Sequence, residues 1–162
     1  MLYLLDANVM IRAHEDYYPI DRIPQFWAWL VSLGDSSTIK VPYEIYGEIA
    51  VSTGPLHDWL TDNAVTKSIL LDQKVDPASL NNVLAQGYAP DLDDSEIEEI
   101  GRDPFLIAYA LNDVAETTVV TKEVSAPSKQ RANRRIPDVC RTFGVRCIND
   151  FELYRQLNFR TV

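Results

Sequence analysis

The sequence predicts an α/β fold, a three-layer α/β/α arrangement around a central, mainly parallel sheet. Three observations predict it. Short apolar or β-branched runs at residues 2–5, 38–41, 69–71, 117–121 and 145–148 alternate with helical patterns along the chain. The first run has no polar interruption, as in a strand covered on both faces. No repeat, low-complexity segment or linker divides the chain, so residues 1–162 read as a single domain with right-handed crossovers.

The elements follow in order. Leu5 delivers Asp6 at the end of the first strand, and apolar residues resume at helical spacing over about 8–13. Residues 16–24 hold two prolines and read as a turn region. A helix over about 24–33 follows, with Phe26, Trp27, Leu30 and Leu33 on its apolar face and Gly34 as its stop. Trp27 and Trp29 read as packing residues rather than a platform for bases. Pro42 reads as the first residue of a helix over about 42–53, which carries Glu44 and Glu48 on one face. Gly54-Pro55 ends it, and another amphipathic helix reaches about 63. Asp76-Pro77 opens a helix to about 84. Residues 87–95 form a polar loop, and Ser95 opens a short helix with capping-box character.

Asp103-Pro104 is a strong helix start, with Asp at the N-cap, Pro at the first helical position, and a dense body of apolar and small residues after it. Such a body suits close packing on a sheet. Residues 124–135 are polar and basic. Residues 136–140 open a short helix, and Asn149-Asp150 caps a last one over about 151–156.

Composition narrows the function. The net charge of -9 excludes a protein that grips nucleic acid by phosphate neutralisation alone. No apolar run approaches the ~20 residues that cross a bilayer, and no signal peptide precedes the first strand. Cys140 and Cys147 lack metal-site spacing and fit a reducing, cytoplasmic setting. His14 and His57 stand alone and are assigned no chemistry.

The informative residues are acids. Asp6 ends the first strand, Glu48 lies on the helix after the second, Asp103 starts the small-residue helix, and Glu123 follows the fourth strand. In a parallel sheet, ligands sit beyond the carboxyl ends of the strands. Carboxylates gathered there repel and take up protons unless a cation compensates. Mg²⁺ or Mn²⁺ does so with oxygen ligands. Each acid also has an ordinary reading. Asp6 and Asn8 cap a helix or form an Asx turn, Asp103 is an N-cap, Glu48 lies on a solvated face, and Glu123 sits in a surface turn. The case rests on the ordered set.

That set resembles a known family. Leu4-Leu5-Asp6-Ala7-Asn8, Val41-Pro42 with Glu48-Ile49 beyond it, the run Asp103 to Ala110, and Val119-Val120-Thr121-Lys122-Glu123 resemble the PIN domain over about residues 2–148. This is the family of metal-dependent ribonucleases that includes the VapC-type toxins. The resemblance implies a PIN-like fold with Asp6, Glu48, Asp103 and Glu123 as catalytic, metal-holding acids for Mg²⁺ or Mn²⁺. Asn8 and Thr121 would support them. Glu44 falls one turn early. Glu123 stands where the family usually has Asp, and Asp138 is a second candidate to complete the site.

The implied activity is endoribonucleolytic cleavage of RNA phosphodiester bonds by a metal-activated water. The implied role is the toxin of a toxin–antitoxin pair, with an antitoxin protein as partner and a homodimer as a further expectation. Lys129, Arg131, Arg134 and Arg135 are the candidates for the RNA backbone, against the reading of a solvated loop or a dock for an acidic partner. Two alternatives stand beside this one. The chain is a catalytically silent PIN-like interaction module, or a haloacid dehalogenase-type phosphatase. That second family wants an Asp where this chain has Asn8, and no downstream lysine motif supports it. The stretch 66–101 is longer than in compact toxins.

Overall fold

In the computed structural model, which describes residues 1–162, the five expected strands form one all-parallel sheet. They are β1 (Leu2–Leu5), β2 (Ile39–Pro42), β3 (Leu70–Leu71), β4 (Thr117–Val120) and β5 (Arg146–Ile148), in the spatial order β3-β2-β1-β4-β5. Ten α-helices flank the sheet. They are α1 (Ala7–Arg12), α2 (Pro24–Asp35), α3 (Tyr43–Ala50), α4 (Pro55–Thr61), α5 (Asn63–Ile69), α6 (Pro77–Asn82), α7 (Asp94–Ile100), α8 (Asp103–Ala110), α9 (Ile136–Thr142) and α10 (Asp150–Gln156).

The strand order places the ligand crevice. From β1 the sheet grows one way through β2 to β3, and the chain then crosses back to add β4 and β5 on the other side. Where the direction reverses, the helices after neighbouring strands diverge and leave a crevice at the carboxyl ends. Here that point lies between β1 and β4. The register pairs Leu5 with Val120, so Asp6 and Thr121 come side by side at its mouth.

Apolar burial holds this edge in place. Leu4, Leu5, Val119 and Val120 are all at most 1% exposed, as a strand covered on both faces requires. Helix α8 is buried from Leu106 to Ala110, an all-round apolar helix of the interior. Trp27 is 2% exposed, and its indole N–H donates to the Tyr18 carbonyl at 2.7 Å. It belongs to an aromatic cluster with Tyr18, Phe26 and Trp59. The packing role expected of Trp27 is the one observed. No helix is long and apolar enough to cross a membrane.

Several local expectations shift. Gly34 lies inside α2 rather than stopping it. A Cβ there would meet Ser68 Oγ at 2.6 Å and the Ser68 carbonyl oxygen at 2.7 Å, so the glycine exists for the contact with α5. Pro42 ends β2 and occupies the N-cap of α3. The chain over 55–69 makes two helices, because Asp62 caps α5 through the Ala64 and Val65 amides. The capping box of α7 is Asp93 with Glu96, two residues earlier than expected. Single π-helical turns extend α1 over Ala13–Tyr17 and α6 over Val83–Tyr88, past the helix ends expected at about 13 and 84.

Candidate metal centre

Four acids approach one another at the mouth of the crevice, and each is held by different local structure. Asp6 follows β1 directly and is 5% exposed. Its Oδ1 accepts from the Ala7 amide at 2.8 Å, and its Oδ2 accepts from the Thr121 hydroxyl at 2.8 Å. The same Thr121 oxygen accepts from the Glu123 amide at 3.1 Å. One hydroxyl therefore fixes Asp6 and the turn after β4 together. Burial raises the Asp6 carboxyl, the Thr121 and Ala7 hydrogen bonds oppose that, and the Glu123 charge adds to it.

Asp103 is the acid on which the others converge. It is the first residue of α8, with Arg102 rather than Asp103 at the N-cap, and it caps nothing. Helix dihedrals begin one residue earlier than the Asp-Pro pattern suggests. The ordinary reading of this acid as a cap is thereby removed. Burial first, then the charges of Asp6, Glu123 and Glu48, push its carboxyl up to about 8.

Glu48, on α3, is the most exposed of the four. Burial and Asp6 raise it, while the Arg102 guanidinium and backbone amide lower it. Glu123 is half-buried, and its Oε2 accepts from the Ile136 amide at 2.7 Å, closing the open start of α9.

The other candidates fall outside this group. Glu44 accepts from the Tyr109 hydroxyl at 3.1 Å, and its second carboxylate oxygen is buried without a partner. It lines a separate cavity with Asp72 and Lys74. Asp138 is 4% exposed and grips the chain ahead of it, accepting from the Ser125 hydroxyl and from the Ala126 amide at 2.8 Å. It is a loop anchor, whereas Glu123 adds its charge to Asp6 and Asp103. Asn8 is exposed on α1 and makes no side-chain hydrogen bond.

The structure also divides the basic run. Arg131 is committed to Asp91 at 2.7 Å and to Glu96 at 2.9 Å. Arg134 donates to the Gly87 and Asp138 carbonyls and to the Thr142 hydroxyl. Lys129 and Arg135 are exposed and form no ion pair. They line a cavity of about 250 Å³ whose wall also contains Asp103, Glu123 and Arg134. Acids and bases of the two sequence-derived sets thus meet in one cavity.

Tyr88 is the residue the sequence did not single out. It is 7% exposed, and its hydroxyl has no partner. Burial, then the charges of Asp103 and Glu123, hold its proton firmly in place. It arrives on the π-helical turn after α6. That turn packs tightly because a Cβ on Gly87 would lie 2.8 Å from Val139 and 2.9 Å from Phe143.

The donor chemistry can be tested against a metal. No group of three acid, histidine or cysteine side chains lies together at ion-holding separation as the chain stands. The donors themselves are all oxygen, from Asp6, Glu48, Asp103 and Glu123, with no histidine or thiolate. Each carboxylate keeps acceptor capacity beyond the hydrogen bonds described. Carboxylate oxygen in this setting suits a hard cation such as Mg²⁺ or Mn²⁺ rather than a soft one. On donor chemistry the residues fit.

Fold and site define a class: an α/β protein with a parallel sheet that reverses direction beside β1, and a group of acids at that reversal. More particularly, the chain matches, over residues 3–161, the family described as a domain of unknown function (DUF4411), and it belongs to that family. No curated protein and no solved structure matches it.

Proposed function

We propose that this protein is a PIN-like, Mg²⁺- or Mn²⁺-dependent endoribonuclease. The observation that carries the reading is Asp103. It is a mostly buried acid with no capping role, pushed up to about 8 by burial and by three other carboxylates at the sheet's reversal point. Such a grouping costs stability unless a cation or a retained proton relieves the repulsion, and acids perturbed in this way cluster at functional sites.

Asp6, Glu48, Asp103 and Glu123 would hold the ion. When bound, it supplies a polarised water and neutralises charge at the phosphoryl group. The chain's own residues do the rest. Thr121 holds Asp6 in orientation through its 2.8 Å hydrogen bond. Lys129 and Arg135 present charge to the RNA backbone beside Asp103 and Glu123. The toxin role and an antitoxin partner follow from the same resemblance. A short DNA-binding protein encoded next to this chain is the observation that tests them.

A second reading draws on the caps. Asp6 caps α1 and Glu123 closes the start of α9, as expected of a catalytically silent module. Asp103 separates the two readings, because it has no such task. The deciding experiment incubates labelled RNA with the protein and Mn²⁺, Mg²⁺ or EDTA, beside Asp103→Asn. Metal-dependent cleavage lost in the variant is expected. Wild type that cuts no RNA with either ion, or a variant that cuts equally, removes the enzyme reading.

A further inference from the structure

Glu123 lines two cavities. One is the acid-and-base cavity already described. The other, of about 350 Å³, runs from Thr121–Ser125 to the first turn of α10. That volume lies within the roughly 300–1,000 Å³ range of small-ligand sites. The cavity shares Thr121 and Glu123 with the candidate metal centre, and the rest of its lining is separate from that centre.

Its charged pair is already committed. Lys122 Nζ donates to both carboxylate oxygens of Asp150, at 3.1 and 3.2 Å, and to the Tyr17 hydroxyl at 3.1 Å. Asp150 is 0% exposed, so the pair is a fixed strut and not a ligand hook. The strut also supports an aromatic wall, with Nζ 4.8 Å from the Phe151 ring centre. Phe151 itself is 40% exposed, and Cys147, Ile148 and Pro137 are among the other residues that line the cavity.

Two polar groups on this wall retain free capacity. The Glu152 carboxylate is half-buried and takes part in no ion pair or side-chain hydrogen bond. Asn149 uses its Oδ1 to accept from the Glu152 amide at 2.8 Å, which leaves its amide N–H groups to donate.

An exposed ring with an acceptor and a donor lining the same cavity suits a flat heteroaromatic base splayed out of a single strand. An ionised carboxylate only accepts. Among the RNA bases, guanine alone offers adjacent donors on its Watson–Crick edge, N1–H and the N2 amino group. Adenine and cytosine set one donor beside an acceptor, and uracil sets one donor between two carbonyls. An amide N–H of Asn149 complements the neighbouring O6.

We propose that this cavity is a guanine subsite, with Phe151 stacking on the base and Glu152 accepting from N1–H and N2. Its position beside Glu123 makes that guanine the neighbour of the scissile phosphate. The cutting role rests on the ribonuclease reading, whereas the base preference does not.

The test therefore has two arms. In the first, GMP, AMP, CMP and UMP are titrated against the full chain without metal and followed by tryptophan fluorescence. GMP should bind about tenfold more tightly than the others, and Glu152→Gln should reduce that margin to about threefold or less. Phe151→Leu should weaken all four nucleotides. Thermal melts check that both variants remain folded.

In the second arm, cleavage sites in a random-sequence RNA are mapped with Mn²⁺. A guanine should recur at one position beside the cut in wild type, and the bias should fade in Glu152→Gln. Equal binding of the four nucleotides, or a guanine preference that survives Glu152→Gln, overturns the subsite. Selective GMP binding in a protein that cuts no RNA supports the subsite and removes the ribonuclease reading. Cleavage with no guanine bias overturns the subsite and leaves the enzyme standing.

Discussion

Two aspartates in the first turns of neighbouring helices show how surroundings alone drive one carboxyl up and the other down. Asp103 opens α8, and Asp138 lies two residues into α9. Each stands next to a proline, and each is withdrawn from solvent. Burial pushes both upward. At Asp138 the Ser125 hydroxyl, the Ala126 amide, and the Arg141 and Arg134 charges outweigh it, and the carboxyl ends below its usual range. At Asp103 nothing donates, three carboxylates add their charge, and the group is pushed up to about 8. Burial is common to both. The supply of donors and the sign of the neighbours decide the outcome.

The sharpest way to break this contrast is to neutralise each acid. Asp103→Asn should lower Mn²⁺-dependent RNA cleavage by more than a hundredfold, since even the outer partners of a metal site typically cost about 10–100-fold. Asp138→Asn should leave the cleavage rate per folded molecule close to wild type. It should instead cost about 1–3 kcal/mol in urea unfolding, the usual effect of loosening a buried hydrogen-bonded group. Loss of cleavage in both variants, with stability intact in both, would erase the distinction.

Thr121→Val should come next, with a loss of about 10–100-fold in cleavage and weaker Mn²⁺ binding, because Asp6 loses the hydroxyl that orients it. An unchanged Mn²⁺ titration would show that Asp6 needs no such support.

Stability against pH sharpens the contrast further. The folded protein keeps a proton on Asp103 that the unfolded chain releases above about pH 4. The ion-free protein should therefore lose stability as pH rises from there towards 8. Asp138 has the opposite sign. Its stabilisation is present above the unfolded value and is lost as pH falls through the lower folded one. Asp103→Asn should flatten the first slope, and Mn²⁺ should restore wild-type stability more at pH 8 than at pH 5. Thermal melts across that range read both effects. An identical slope in wild type and Asp103→Asn would contradict the assignment.

The smallest effect concerns the basic run. Lys129→Ala with Arg135→Ala should reduce the slope of log binding against log salt by about 1.4 for a single strand. Arg131→Ala should leave that slope alone, because its guanidinium is committed to Asp91 and Glu96. Filter binding over a salt series compares the two. Equal slopes in both variants would mean that RNA does not read this partition.

The strand–helix alternation was readable in the sequence because apolar period and turn residues are local signals. Asp6 and Glu123 could be set at one edge because both follow strands of a parallel sheet, whereas Glu48 and Asp103 lie on helices and were joined to them only by the family resemblance. The individual tasks of the four acids were not readable. The cap frame at Arg102-Asp103 differs by one residue from the pattern, and only backbone dihedrals decide it. Gly34 looks like a stop until Ser68, far along the chain, is seen against it. Tyr88 and the division between Arg131 and Lys129 depend on where residues 83–96 fold, and no local periodicity encodes that placement.

The segment from Ser125 to Arg135 is fastened at three places. Asp138 grips Ser125 and Ala126, Arg131 is tied to Asp91 and Glu96, and Arg134 is tied to Gly87. A loop fastened in this way has little conformational entropy left to lose. Lys129 and Arg135 are thus carried on a preorganised arch, and the ordering cost that weakens flexible nucleic-acid-binding tails is already met in folding. Cutting one fastening, as in Arg131→Ala, keeps Lys129 and Arg135 and should appear in calorimetry as a more unfavourable binding entropy.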